Sequence, residues 1–186
     1  MALTHWNYFL AIEQDVINLS RYIEFCEDNF KTYSIEIARI IMASTQEIDV
    51  VMKEICKNKG NLSRSETGYR AFIPTIYPKF TDREVEISKY ELSFVPFEEW
   101  KNKKTPKWWT ANNKIKHQRN THFSRASLEN MFKSVCGLMI TNLYFYQTVS
   151  QLDEIYSGSQ MLYPKDMVKA MGPTAFGLAP MYELDD

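Results

Sequence analysis

Proline placement constrains this chain more than any other feature. All seven prolines lie at positions 74, 78, 96, 106, 164, 173 and 180, so residues 1–73 and 107–163 contain none. A proline inside a helix removes a backbone donor and clashes with the preceding turn. The two proline-free blocks are therefore where long helices are permitted. The stretch 60–105 and the tail after residue 157 are expected to be irregular. Glycine points the same way: with only 6 in 186 residues, the chain has few sites for tight turns.

Apolar spacing fills the two blocks with helices. The first runs from Thr4, as N-cap, through Trp6, Phe9, Leu10, Val16, Ile17 and Ile23 toward Phe30, with a stop at Asp28-Asn29. The second starts near Thr32 or Tyr33. Its apolar face is Ile37, Ile40, Ile41, Ser44, Ile48, Val51 and Ile55, and Asn58-Lys59-Gly60 closes it. The short link between them favours an antiparallel hairpin. Thr105-Pro106 reads as an N-cap followed by proline at the first helical position, opening a third helix through Trp108-Trp109 to about Thr121. Ser124 reads as the next N-cap. Residues 127–152 are apolar on most of the helix circumference and should lie at the centre. In the middle block, a short helix over 64–78 is interrupted at Pro74. A hairpin then sets Val85 and Ile87 against Leu92 and Phe94.

The expected fold class is mainly all-α. It is an antiparallel four-helix bundle over residues 1–157, with a mixed insertion at about 60–105 that holds the small β-hairpin, and an extended tail over 158–186. The Gly172-Pro173 and Ala179-Pro180 steps suggest a tail that wraps on the bundle or on a neighbouring subunit.

Composition narrows the function classes. Cys26, Cys56 and Cys136 are odd in number and widely spaced, which implies no disulfide framework; without a CxxC pair, a structural zinc site and other metal centres are not expected. The opening MALTHWNYFL lacks a basic signal-peptide n-region. The apolar stretch 135–149 is too short to span a bilayer. A cytoplasmic location without membrane association is expected. No phosphate-binding loop, dinucleotide fingerprint or serine-hydrolase elbow is present, so no cofactor is expected.

The formal charge of −1 hides an uneven distribution. Between residues 101 and 125 stand Lys101, Lys103, Lys104, Lys107, Lys114, Lys116, Arg119 and Arg125, with no acidic residue among them. The rest of the chain keeps 14 basic against 23 acidic residues, a net of −9. Trp100, Trp108, Trp109 and Phe123 interleave with the basic residues. Cations neutralise phosphates and aromatic faces stack on unpaired bases, which points to nucleic acid and in particular to RNA. Two bland alternatives are a solvated basic face over core tryptophans, and pairing of the belt with the acidic end Glu183, Asp185 and Asp186.

Within the belt, Asn113, His117 and Asn120 are spaced i, i+4, i+7 and should share one helical face flanked by Lys116 and Arg119. A histidine titrates near neutrality and moves protons. A nearby cation stabilises a pentacovalent phosphate. The set suits metal-independent RNA cleavage by the 2′-hydroxyl: His117 as general acid/base, Arg119 and Lys116 on the phosphate, Asn113 orienting it. Lys104, Lys107, Lys114, Asn120, His122 and Trp109 would hold the strand. In the second helix, Glu36, Glu47, Asp49 and Lys53 would support the site, Glu47 by pairing with Lys116, His117 or Arg119. Asp49 and Lys53 are also spaced as a surface ion pair.

The pattern Trp108-Trp109 followed by Asn113-Lys114-Ile115-Lys116-His117-Gln118-Arg119 and an apolar helix resembles the HEPN superfamily. Thr32-Tyr33-Ser34-Ile35-Glu36 and the segment 47–53 add to the likeness, which spans about residues 5–58 and 105–152. The resemblance implies an antiparallel helical bundle that dimerises. It also implies RNA binding and, in many members, endoribonuclease activity in phage defence or toxin–antitoxin systems; other members are non-catalytic binding modules. The family's catalytic arginine is followed, at a longer spacing, by a histidine. Here His122 follows Arg119-Asn120 too soon and His117 lies upstream. A catalytically inert module that binds a protein partner is therefore the alternative function.

Overall fold

The computed structural model describes residues 3–174 and 177–186. The chain is mainly helical with two small sheets. Five α-helices occur among the described residues: α1 (Thr4–Leu19), α2 (Ile35–Asn58), α3 (Glu66–Ile76), α4 (Lys107–His122) and α5 (Leu128–Thr148). The strands are β1 (Val85–Ile87), β2 (Leu92–Phe94), β3 (Tyr163–Pro164), β4 (Val168–Thr174) and β5 (Gly177–Tyr182). No helix among the described residues is long and apolar enough to cross a membrane.

Periodicity places α2 well. Every residue of its expected apolar face is buried, Ser34 caps the helix by accepting from the Ile37 amide at 3.1 Å, and Gly60 beyond its end adopts φ +75°. The face packs mainly on α5. At the seam the Ser44 hydroxyl donates to Ser134 at 2.9 Å, and Ser134 donates to the Met131 carbonyl at 2.8 Å, so two small buried hydroxyls are bonded where the helices meet. Gly137 of α5 sits at the same crossing. A Cβ there would lie 3.4 Å from Phe97 and Trp108 and 3.5 Å from Ile48.

Several expected boundaries shift for local reasons. The first helix stops at Leu19 rather than running toward Phe30, and the Ser20 hydroxyl bonds back to the Ile17 carbonyl at 2.7 Å. The chain then turns so that Phe25 packs edge-on against Phe132, with centroids 4.8 Å apart. Thr4 is the first helical residue and not a cap. Ser127, not Ser124, caps α5, because a bridge between Tyr33 and Ser127 and a 2.8 Å bond from the Leu128 amide to the Thr32 carbonyl fix the entry one turn later. Pro106, not Thr105, precedes the first residue of α4; the Thr105 hydroxyl donates to Glu66 at 2.9 Å and accepts from Arg70 at 3.3 Å.

The segment expected as an insertion supplies part of the core. The β1–β2 hairpin forms in the expected register, Val85 opposite Phe94 and Ile87 opposite Leu92. The fully buried Phe80 lies 4.7 Å from the Phe97 ring and 4.9 Å from Tyr144 of α5.

The tail folds onto its own chain. β3 adds to β1, and β4 pairs with β5. One carboxylate pins the approach: Glu13 of α1, 2% exposed, accepts from the Ser159 hydroxyl and from the amides of Gln160 and Met161 at 3.0 Å and Leu162 at 3.3 Å. The Trp6 indole donates to the Ser157 carbonyl at 2.7 Å. At the far end, buried Arg83 donates to the Tyr144 hydroxyl at 2.9 Å and to Asp185 at 3.0 Å, while Lys79 pairs with Asp185 at 2.6 Å.

Three outcomes follow from this packing. Gly137→Ala is expected to raise stability by roughly 0.5–1 kcal/mol, because a methyl meets ordinary contacts and helix propensity improves; a lower urea midpoint would show the crossing to be tighter. Glu13→Gln keeps an acceptor for the three donors at Oε1 but turns an NH₂ toward the Gln160 amide and removes the charge that strengthens all four bonds, which should cost roughly 1–3 kcal/mol, with protease cleavage near residues 157–162 preceding global unfolding. The Lys79 ammonium, and then the Arg83 guanidinium, hold the Asp185 carboxyl down at about 2. A depressed carboxyl stabilises above its unfolded pKa of about 4 and loses that contribution as pH falls through its folded value. Acid unfolding monitored between pH 4 and pH 2 should therefore be shallower in Asp185→Asn.

Candidate nucleic-acid interface

α4 is anchored by its first half and free along its second. Trp108, Ala111 and Ile115 recur at helical spacing and are buried, with Trp109 beside them at 7% exposure. The Trp108 indole donates to the Pro96 carbonyl at 2.7 Å. From Lys116 to Arg125 no residue is buried. The helix also breaks at Gln118, whose φ −139° and ψ 39° are non-helical. Within the run from Lys116 to Arg125 only Phe123 packs inward, edge-on to Tyr33 at 5.5 Å, so the polar surface from Lys116 to Thr121 is free for another contact.

The basic belt lies on this surface and is mostly unneutralised. Lys101 pairs with Asp82. Among the described residues, Lys103, Lys104, Lys107, Lys114, Lys116, Arg119 and Arg125 have no carboxylate within ion-pair distance. The acidic end is used elsewhere: Glu183 faces Lys169 at 3.3 Å, Asp185 faces Lys79 and Arg83, and Asp186 faces Arg83 at 3.7 Å. Pairing of the belt with the acidic tail, one of the bland alternatives, is thus not what the chain does within itself.

The expected site residues separate into groups. The shared face of Asn113, His117 and Asn120 is interrupted, because the Gln118 break falls between the second and the third. His117 is exposed and its side chain makes no hydrogen bond, ion pair or ring contact among the described residues. Arg119 is exposed, and its guanidinium approaches the Met42 sulfur at 3.7 Å. Lys104, Lys107 and Asn120 are exposed, while Lys114, half-buried, donates to Gln118 at 3.0 Å. His122 is half-buried. The tryptophans are not stacking platforms: Trp100, Trp108 and Trp109 are 4%, 0% and 7% exposed. Aromatic side chains of this size bury more readily than they display, and here the core between α4 and the 80–100 segment claims them.

The expected support from α2 is rearranged. Glu47 pairs with His5 at 2.5 Å, not with Lys116, His117 or Arg119, because α1 brings His5 over that turn of α2. Glu36 pairs with Arg39 at 2.7 Å on an exposed face. Asp49 and Lys53 form the expected i, i+4 pair, and Asp49 also accepts from the Tyr69 hydroxyl at 2.9 Å. Burial first, and then that bond, push the Tyr69 phenol well above its ordinary range.

Asp49 also faces a cleft of about 430 Å³ that sequence spacing did not reveal. Met42, Thr45, Gln46 and Asp49 of α2 form one wall. Ser65 and Glu66 close one end at the start of α3, and Trp109, Asn112, Asn113 and Lys116 of α4 form the opposite wall. Of the expected site residues, Asn113, Lys116, Trp109 and Asp49 meet here; His117 and Arg119 do not line it. Thr45 is 2% exposed and its hydroxyl oxygen has no hydrogen-bond partner. Glu66 is buried and holds the Trp100 indole at 2.9 Å, the Thr105 hydroxyl at 2.9 Å and Arg70 at 3.5 Å. No group of three or more His, Cys, Asp or Glu able to hold a metal ion occurs among the described residues.

The three cysteines are free. Burial pushes the Cys56 thiol up to about 11 and raises Cys136 further, so neither is a ready nucleophile. No family model matches the chain, no curated protein matches its sequence, and no solved structure matches its fold.

Proposed function

We propose that α1, α2, α4 and α5 form a HEPN-like four-helix bundle whose α4 binds single-stranded RNA. The observation that carries this function is the run from Lys116 to Arg125, which holds no fully buried residue, joined to a belt of seven cations that have no carboxylate partner among the described residues. Unpaired cations on an exposed surface are available to replace the counterions of a phosphate backbone. The same surface presents His117, and a phosphate held by Lys114, Lys116 and Arg119 would place a scissile bond near its ring. His117 has no carboxylate or carbonyl partner to set its tautomer. The geometry therefore supports strand binding before strand cutting.

The second function, an inert module that binds a protein partner, is favoured by the apolar surface of the β4–β5 hairpin. Met171, Leu178 and Met181 are 56%, 70% and 48% exposed there.

Anisotropy of a labelled single-stranded RNA distinguishes the two. Affinity should fall steeply between about 50 and 200 mM salt. Lys104→Ala combined with Lys107→Ala should weaken every RNA sequence alike and flatten the salt slope by roughly 0.7 per charge removed. Salt-insensitive binding, or none, would favour the protein-partner function. Incubation of RNA in EDTA reads the cutting step: 2′,3′-cyclic phosphate ends that vanish in His117→Ala assign proton transfer to His117, and cleavage that persists in that variant removes His117 from the role.

A further inference from the structure

Resting on the RNA-binding function above, we infer that the cleft between α2, α3 and α4 seats one unstacked base of the strand and selects bases with an exocyclic amine (adenine, cytosine, guanine) over uracil.

The cleft holds polar groups that the protein itself leaves unused. The Thr45 hydroxyl is buried without a partner. A buried hydroxyl normally finds one, and leaving it unpaired is costly, so the wall at Thr45 carries an unused polar group directly beneath the cleft surface. The side-chain amides of Gln46, Asn112 and Asn113 also make no hydrogen bond to the protein. Three primary amides and a hydroxyl therefore converge with donors and acceptors both free. This matches the edge of a nucleobase, which presents donors and acceptors side by side and pairs with Asn or Gln in two-bond fashion. Single-stranded RNA is read in this way, through bases splayed out of the stack. The volume of about 430 Å³ lies within the range of small-ligand sites.

The preference for an amine comes from the carboxylates. Asp49 and Glu66 both line the cleft, a carboxylate accepts hydrogen bonds, and since Glu66 is already taken by Trp100, Thr105 and Arg70, Asp49 is the acceptor an incoming base meets. Asp49 accepts from Tyr69 and Lys53, which leaves acceptor capacity on its two oxygens. An exocyclic –NH₂ meets this wall favourably. The carbonyl oxygens of uracil meet it acceptor against acceptor.

The cleft is also joined to the belt. Lys116 belongs to both, and Arg119 reaches Met42 in the opposite wall at 3.7 Å. A base in the cleft therefore has cations at its rim for the flanking phosphates.

The test compares single-base RNA octamers of A, C and U by anisotropy at one salt concentration. The A and C octamers should bind about 5- to 100-fold more tightly than the U octamer, the span expected of one two-bond amide contact. Asn113→Ala and Thr45→Val should bring the three octamers together while leaving the salt slope unchanged. Thr45→Val should also raise the melting temperature, since it removes an unpaired buried hydroxyl; a variant that fails to fold passes the question to Asn113→Ala, whose side chain is exposed. Equal binding of A, C and U by the wild-type protein, or a preference that survives both variants, overturns the base site and leaves the RNA-binding function standing. If no octamer binds, calorimetry with AMP and CMP decides the cleft separately. Heat that is lost in Asn113→Ala supports it, and no heat overturns it.

Discussion

Trp108 is where the structure is tied together. It is fully buried, its indole nitrogen is bonded to the Pro96 carbonyl, its ring lies against Phe97, and it faces Gly137 of α5. Two helices, α4 and α5, and the 80–100 segment thus meet on one side chain. The bond to Pro96 satisfies a donor that would otherwise be stranded in the core. Because this anchor sits in the first turn of α4, it fixes the start of the helix and leaves the remainder to project.

That asymmetry produces the candidate interface. After Ile115 the helix has no apolar residue to hold it down, and the next buried side chain is Ala126. Nine of the ten intervening residues are polar or charged. The break at Gln118 falls in this unsupported stretch, where neighbouring elements do not enforce helical backbone. The cleft lies beside this stretch, with Thr45, Gln46 and Asp49 of α2 across from Asn112, Asn113 and Lys116 of α4.

Much of this was legible in the residues. The face of α2, the hairpin register of Val85 with Phe94 and the +8 window are one-dimensional patterns, and local chemistry reproduces them. What spacing could not show were contacts between elements distant in the chain. Glu47 lies on the face of α2 that meets α1, so His5 takes it before α4 can. Thr105 looked like a cap, yet its hydroxyl donates to Glu66 and accepts from Arg70, both on α3. The tryptophans read as interleaved with the cations because sequence interleaves the two faces of a helix, and only packing separates them. The cleft draws on α2, α3 and α4 together, and nothing in the local sequence marks Thr45 as unpaired.

The tail explains why the belt stays charged. An acidic C-terminal segment in a chain with eight clustered cations has an obvious electrostatic partner, and long-range attraction alone would draw the two together. Shorter-range terms decide otherwise. Arg83 is 5% exposed and would be an uncompensated buried cation without Asp185 and Asp186, whereas the lysines of α4 are hydrated and lose little by remaining unpaired. Glu13 fixes where the tail begins its return by holding residues 159–162, so the acidic residues arrive at Arg83 and Lys79 rather than at α4. The desolvation of one arginine and the backbone capture by one glutamate thus send the negative charge to the far end. The positive charge of α4 remains available to a polyanion from outside.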